Sequence, residues 1–132
     1  MQKKALAHLG YVVPHLDRAL KQFQREGGKI LIPPIEDPLQ KVKVCLLQLD
    51  EIVHIELVSP LHPDDHPVKA RLRRGGGLDH LCYYVENLET ALLLEQQQGG
   101  MVVCPPIYAV AFEREIAFVH RRSGLLIELM CL

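Results

Sequence analysis

Four polar residues lie inside otherwise apolar, strand-like segments of this sequence: His8, Glu56, His80 and Glu128. Glutamate is almost never fully buried unless it is paired or bound to a metal. Residue alternation along a strand places each Glu opposite its apolar neighbours, on a face that could line a cavity. Two imidazoles and two carboxylates suit Co, Ni, Zn, Mn or Fe rather than Ca or Mg. The four residue types therefore predict one divalent transition metal ion with open places for a substrate.

The spacing of these residues is that of an internal repeat. His8 and His80 are 72 residues apart, as are Glu56 and Glu128, and the same offset aligns 8–60 with 80–132 at 16 identities in 53 pairs without a gap. Two copies are too few for a solenoid, which needs at least about three repeats. We therefore expect the copies to pair around a pseudo-twofold axis, which would bring the four residues together.

Each copy has the pattern strand, helix and three strands. In the first copy the segments are "HLGYVV", "LDRALKQFQREGG", "KILI", "KVKVCLLQL" and "IVHIELV", with Pro33-Pro34 expected to stop the second strand and a hairpin around Asp50-Glu51. The fold class predicted is α+β: two βαβββ modules that form a cupped, eight-stranded mixed sheet around a metal site. The predicted single domain covers residues 1–132, with module one at 5–60, a linker at 61–76 and module two at 77–132.

Composition excludes several classes of protein. The 132 residues are 48% hydrophobic with a net charge of −1, which is typical of a folded globular protein and gives no field to attract nucleic acid. No apolar run approaches the ~18 residues of a membrane span. The four cysteines form no Cys-x-x-Cys pair, so we expect reduced, buried thiols in a cytoplasmic protein.

The chain resembles the vicinal oxygen chelate superfamily, which has the glyoxalase/bleomycin-resistance fold. The similarity covers nearly the whole chain and is strongest to methylmalonyl-CoA epimerases and small bacterial glyoxalase I-like proteins. It is carried by "HLGYVVPHLDRAL", "IELVSPL", "GGLDHLCYYVENLETAL" and "IAFVHRRSGLLIEL". The resemblance implies that His8, Glu56, His80 and Glu128 are the metal ligands, that Glu128 is also the catalytic base, and that the protein forms a homodimer.

Two departures from the epimerase pattern concern the substrate pocket. The epimerases have a catalytic Glu just before a Gln-Gly, and the corresponding stretch here, "EDPLQKVKV", has Leu39 at that position. They also have Gly-Ala-His-Gly before the seventh strand, where this chain has "VAFERE". We expect Glu36, Asp37 or Glu113 to be the nearest replacements for the missing carboxylate.

Three functions are consistent with this pattern. The first is a metal-dependent isomerase resembling methylmalonyl-CoA epimerase, which removes a proton next to a carbonyl and stabilises the enolate on the metal. The second is a glyoxalase I-like lyase of the lactoylglutathione lyase type, and the third is a small-molecule-binding resistance protein, whose relatives usually lack the ligands. The expected partner is a small molecule, an acyl-CoA or glutathione thioester. An extradiol dioxygenase is disfavoured because Glu56 would fill a position that oxygen chemistry needs open.

Other polar segments have simpler interpretations. We expect "HPDDH" (62–66) to be a solvated loop, and "KARLRR" (69–74) to be a solvated face or a contact for the phosphates of coenzyme A. Cys82 shares a strand face with His80, as His54 does with Glu56, and His120 could also reach the cavity. The repeated Tyr11 and Tyr83 alternate with the histidines and are expected in the core or an interface.

Overall fold

The computed structural model describes residues 5–132 and confirms the predicted fold class. The elements are β1 (Ala5–Val12), α1 (Leu16–Arg25), β2 (Lys29–Asp37), β3 (Val42–Gln48), β4 (His54–Pro60), α2 (Lys69–Arg73), β5 (Gly77–Val85), α3 (Leu88–Gln97), β6 (Met101–Ala109), β7 (Arg114–His120) and β8 (Leu126–Cys131). Each half therefore has the order βαβββ, and the short helix α2 lies in the segment predicted as a linker. Among the residues described, none of the helices is long and apolar enough to span a bilayer.

The eight strands form one mixed sheet in the order β2-β3-β4-β1-β5-β8-β7-β6. Within each module the first strand pairs in parallel with the last, β1 with β4 and β5 with β8, while the remaining pairs are antiparallel hairpins. Parallel pairing requires a long crossover, and the module's helix and middle strands supply it. The two modules thus repeat the same internal topology.

The Cα positions divide the chain into two compact units, His8–Asp79 and His80–Leu132, with residues 5–7 joined to the second. The segment predicted as a linker belongs with the first unit. A hydrogen bond from the Leu61 N–H to the Lys41 carbonyl and an ion pair between Lys41 Nζ and Asp65 at 2.8 Å attach it there.

In the first unit, α1 covers the sheet face opposite Glu56. Leu16 is the buried residue of α1, and the side chains of Cys45, Leu47 and Leu57 form the core beneath it. Tyr11 meets Phe23 edge-on with ring centroids 6.0 Å apart, which confirms its predicted place in the core. The helix therefore packs on β4, which carries Glu56, and on the neighbouring strand β3.

In the second unit, α3 packs in the same way but uses an ion pair. Asn87 caps the helix by accepting a hydrogen bond from the Thr90 N–H at 2.8 Å. Glu95 on α3 is buried and accepts hydrogen bonds from Arg121, the shortest 2.6 Å long. Tyr83 packs against the core of this unit, again as predicted.

The proline pairs do not end the second strand of each module, which corrects the expectation at Pro33-Pro34. Both β2 and β6 continue to their hairpins as edge strands with register shifts around the prolines. An edge strand tolerates Pro because one side of its backbone has no ladder partner. The predicted hairpin at Asp50 is confirmed, since its carboxylate accepts the N–H groups of Ile52 and Val53.

Candidate functional site

The first half of the site lies within the first unit, on neighbouring parallel strands. His8 is on β1 and Glu56 is on β4, where Gly10 is its register partner. The His8 Nε2 atom lies 3.4 Å from Glu56 Oε1, and both residues are buried. Alternation puts Ile55 and Leu57 into the core under α1, so Glu56 points to the other face of the sheet.

The second half repeats this arrangement within the second unit. His80 is on β5, Glu128 is on β8, and the His80 Nε2 atom lies 3.1 Å from Glu128 Oε1. The Phe118 ring packs edge-on against the His80 imidazole, with centroids 5.2 Å apart. Phe118 is also the register partner of Glu128 across β7 and β8. An aromatic ring therefore orients the imidazole and lies beside the carboxylate.

One ligand atom from each of His8, Glu56, His80 and Glu128 lies within 4.8 Å of the others, and all four residues are buried. Burial of two carboxylates is costly unless positive charge or hydrogen bonds compensate it. The donor set of two imidazole nitrogens and two carboxylate oxygens could hold a divalent transition metal ion. That these residues bind a metal remains a prediction.

Two thiols of the second unit lie near this cluster. Cys82 is buried on the same face of β5 as His80 and is the register partner of Glu128. Cys104 on β6 is the register partner of Phe118. Burial, and to a smaller extent the negative charge of the nearby Glu128 carboxylate, raise the pKa of the Cys104 thiol. The raised pKa keeps the Cys104 thiol protonated, and neither Cys82 nor Cys104 forms a disulfide.

Of the two candidate carboxylates in the first unit, Asp37 shares the sheet face of Glu56 through its pairing with Val42 and Pro60, and Glu36 does not. Leu39 itself is 54% exposed, in the turn between β2 and β3. Glu36 pairs with Lys43 and therefore lies on the opposite sheet face from Glu56. The buried Asp37 accepts hydrogen bonds from the Gln40 backbone and side chain, which brace this turn.

Glu113 lies in the corresponding turn of the second unit. Glu113 is exposed between β6 and β7 and has a φ of 54°, as Lys41 has a φ of 60° at the matching repeat position. Both residues take a left-handed conformation that costs energy in a residue with a side chain. Glu113 therefore serves the turn, and five positions along β7 separate it from Phe118.

The remaining candidates are distributed as follows. In "HPDDH" only His66 is partly buried, and its Nδ1 accepts the Val68 N–H, so this segment is the predicted loop. In "KARLRR" the Arg71 guanidinium pairs with Asp79 at 3.8 Å, while Lys69, Arg73 and Arg74 are exposed. His54 is partly exposed on the face of β4 that carries Glu56, as its spacing predicted.

A cavity of about 370 Å³ lies at the beginning of α1 and is separate from the cluster. Lys43 and Ser59 line it, and both alternate away from the face of Glu56.

The sequence interpretation missed Lys29 and Gln48, which extend a polar line from His54 across the sheet. The repeat contained a usable signal, because the residues 72 positions later are Met101 and His120. The change from Lys29 to the apolar Met101 is this signal, whereas Gln48 corresponds to another polar residue, His120.

Comparison with known proteins gives consistent matches. Residues 7–118 match the family model described as "Glyoxalase/Bleomycin resistance protein/Dioxygenase superfamily". The ethylmalonyl-CoA/methylmalonyl-CoA epimerase of Cereibacter sphaeroides is 29% identical over 129 residues, which cover 94% of this chain and 95% of that protein.

Solved structures with the same fold include a methylmalonyl-CoA epimerase from Mycobacterium tuberculosis. It has a TM-score of 0.79 and 26% identity, and the alignment covers 95% of this chain and 85% of that one. A hypothetical protein from Bacillus halodurans has a TM-score of 0.85 and 24% identity, with 99% and 96% covered. The second likeness concerns the fold alone.

Proposed function

We propose a function on the premise that this chain belongs to the glyoxalase/bleomycin resistance protein/dioxygenase superfamily, whose family model matches residues 7–118. The chain is a metal-dependent isomerase of the epimerase type, which removes the proton on the carbon next to the carbonyl of an acyl-CoA thioester. The observation that carries this proposal is the buried cluster of His8, Glu56, His80 and Glu128. The choice of substrate class is supported by the Cereibacter relative, whose name specifies CoA thioesters.

The donor set fits one divalent ion of Co, Ni, Zn, Mn or Fe. Two carboxylates balance the charge of a divalent cation, and imidazole nitrogens favour these transition metals over Ca or Mg. Each module contributes one imidazole and one carboxylate from strands that pair in the same parallel register. A bound cation would also account for the burial of both carboxylates, which is otherwise expensive.

In this proposal Glu128 is the group that accepts the substrate proton. Its Oε1 atom is 3.1 Å from His80 Nε2, and Phe118 lies on the neighbouring strand. This packing fixes the carboxylate and keeps water from one side of it, as a positioned base requires. The metal ion, when bound, supplies Lewis acidity that stabilises the enolate oxygen.

Epimerisation also needs a proton donor on the second face of the carbon. Leu39 lies in an exposed turn and has no proton to give. Glu36 lies on the opposite sheet face from Glu56, and the Asp37 carboxylate accepts the hydrogen bonds of the Gln40 turn. This observation favours a second candidate function, a lyase of the glyoxalase I type acting on a thiol adduct. In that reaction a single base can remove the proton and return it on the same side.

The proposal also includes a single domain over residues 1–132, with modules at 5–60 and 77–132. A cytoplasmic location and a homodimer stay predictions of the sequence. Each module contributes half of the ligand set, which supports treating the two as one functional domain.

The test combines metal analysis of native protein with deuterium exchange from solvent into acyl-CoA thioesters. We expect about one transition metal ion per chain, exchange that is lost on chelation, and a loss of at least about 100-fold in Glu128→Gln, as for other positioned bases. A native protein that contains no metal and takes up no added cobalt would contradict the proposal and favour the small-molecule-binding alternative.

A further inference from the structure

The cavity at the beginning of α1 lies within the first unit, on the sheet face opposite Glu56. Residues 14–18, Lys43 and Ser59 line it, and its volume is about 370 Å³. Lys43 on β3 and Ser59 on β4 are register partners, and alternation places them on the face that forms the core under α1. The cavity therefore continues the interface between helix and sheet past the first turn of the helix. We call it the α1 cavity.

The first turn of α1 offers backbone N–H donors that the fold does not use. His15 is the N-cap residue, and its side chain makes no capping hydrogen bond. The first N–H that bonds within the helix is that of Ala19, which donates to the His15 carbonyl. Within residues 5–132, no protein group accepts a hydrogen bond from the N–H groups of residues 16–18. Such donors, with the partial positive charge of the helix dipole, attract an anion.

Ser59 gives an independent indication that the α1 cavity holds a polar ligand. The residue is only 4% exposed although it lines the cavity. Its hydroxyl lies 3.5 Å from the Lys43 carbonyl oxygen, whereas O–H···O hydrogen bonds are usually about 2.5–3.0 Å long. A buried hydroxyl without a well-formed hydrogen bond is costly, and a ligand oxygen in the cavity would remove this cost.

The side chains around the α1 cavity have an excess of positive charge. Lys43 is half-buried, and among the residues that the structure describes its ammonium takes part in no ion pair or hydrogen bond. Arg18 is a second cation in the lining, and Asp17 is the carboxylate there, so two positive charges face one negative charge. Glu36 is the register partner of Lys43 but does not line the cavity.

The second module builds the same place differently. Asn87 caps α3 by accepting the Thr90 N–H at 2.8 Å, and an acidic residue, Glu115, stands at the repeat position of Lys43. The fold therefore requires neither an uncapped helix nor a cation at this place.

We infer that the α1 cavity binds a phosphate group, either as the free ion or as the monoester of a small molecule. The donors come from three elements: the N–H groups of residues 16–18 on α1, the Lys43 ammonium on β3 and the Ser59 hydroxyl on β4. Donors on three sides match a tetrahedral oxyanion better than a planar carboxylate. The α1 cavity lies on the opposite sheet face from Glu56, so the inference does not depend on the proposed function.

The test is a titration of the full-length chain, labelled with nitrogen-15 and followed in amide proton–nitrogen correlation spectra. The ligands are sodium phosphate, glycerol phosphate and, as a planar carboxylate, sodium acetate, all at equal ionic strength. The variants are Lys43→Met and Ser59→Ala. The control is Lys29→Met, which removes the same charge from the opposite sheet face.

We expect the amide protons of residues 16–18 to move downfield and to saturate with either phosphate ligand but not with acetate. Lys43→Met should weaken the affinity about 10-fold and Ser59→Ala about threefold, as for the loss of a charged and of a neutral hydrogen bond. Lys29→Met should bind like the unaltered chain. The phosphate ligand that saturates the shifts at the lower concentration identifies the source of the phosphate group.

Unmoved signals of residues 16–18 would overturn the inference, as would equal shifts with acetate or an unchanged affinity in Lys43→Met. Unchanged signals elsewhere in the spectrum show that each variant is folded, so that a loss of binding does not come from unfolding. His80→Ala should bind phosphate like the unaltered chain. A loss in His80→Ala would place the anion at the proposed metal centre and would also overturn the inference.

Discussion

The buried ion pair of the second module should be replaceable by the apolar pair of the first. Glu95 and Arg121 occupy the repeat positions of Phe23 and Leu49. Phe23 packs edge-on against Tyr11 with ring centroids 6.0 Å apart, and Tyr83 occupies the repeat position of Tyr11 in the second module. The double variant Glu95→Phe/Arg121→Leu would therefore reproduce an arrangement that the chain already uses.

The structure sets the expected magnitudes. The Glu95 side chain is 3% exposed and holds Arg121 at 2.6 Å, and this carboxylate raises the pKa of the guanidinium. Removing one partner of a buried pair typically costs 3–5 kcal/mol, because the other charge stays buried. Arg121 is 32% exposed, so we expect Arg121→Leu to cost about 3 kcal/mol, near the lower limit.

The double variant should recover most of this loss. Replacing a buried pair by apolar residues of similar volume is often neutral or stabilising, so its free energy of unfolding should lie within about 1 kcal/mol of the original. The free energy of unfolding of Glu95→Phe alone should lie between those of Arg121→Leu and the double variant, because the Arg121 side chain can turn toward water.

The assay is urea unfolding of each variant with a chelator present, so that metal binding does not contribute. Arg121→Leu should also lower the Tm by roughly 10 °C, since 1 kcal/mol corresponds to about 2–8 °C in domains of this size range. Lys41→Met, which breaks the exposed pair with Asp65, is the control and should leave the midpoint nearly unchanged. A double variant as unstable as Arg121→Leu would refute the equivalence of the two packing sites.

Three further outcomes are expected. His80→Ala should lose the metal, measured as bound cobalt after dialysis, whereas the control His62→Ala in the exposed loop should retain it. An unchanged affinity of His80→Ala for cobalt would contradict the ligand assignment. Conversion of one methylmalonyl-CoA epimer to the other should be about 10²–10⁴-fold slower than in a site with both proton-transfer groups. Leu39→Glu should not accelerate this conversion, because Leu39 lies in an exposed turn. A conversion rate of about 10 per second or more would show that a second proton-transfer group is present elsewhere. Burial raises the pKa of the Cys45 thiol to about 11, so the thiol stays protonated at pH 8. We therefore expect Cys45 to react with iodoacetamide only after the protein unfolds. Rapid labelling of Cys45 in the folded chain would contradict its burial.

Most of the fold could be predicted because the sequence contains it twice. The offset of 72 identified the βαβββ unit, and alternation around Ile55 and Ile127 assigned each Glu to the face opposite the core. The same reasoning found the four residues that the structure brings within 4.8 Å. A single strand His or Glu in one copy would not have indicated a site, but the same residue at the same position of both copies did.

The features that could not be predicted depend on strand pairing. Pro33-Pro34 looked like the end of a strand, but β2 continues through it because it lies at a sheet edge. The polar line of Lys29, Gln48 and His54 also depends on register, because these residues are far apart in the sequence and are paired only across β2, β3 and β4. Likewise, only the completed turn shows Leu39 to be exposed.

The parallel pairing of the first and last strand in each module has a consequence for folding kinetics. His8 and Glu56 are 48 residues apart, as are His80 and Glu128, so neither pair can meet until its crossover is complete. Closing such a long segment is entropically costly and slow compared with forming the local hairpins. The ligand pairs should therefore be absent from the folding transition state. A metal bound there would slow unfolding and leave the rate of folding almost unchanged. It would therefore stabilise the folded state without guiding its formation.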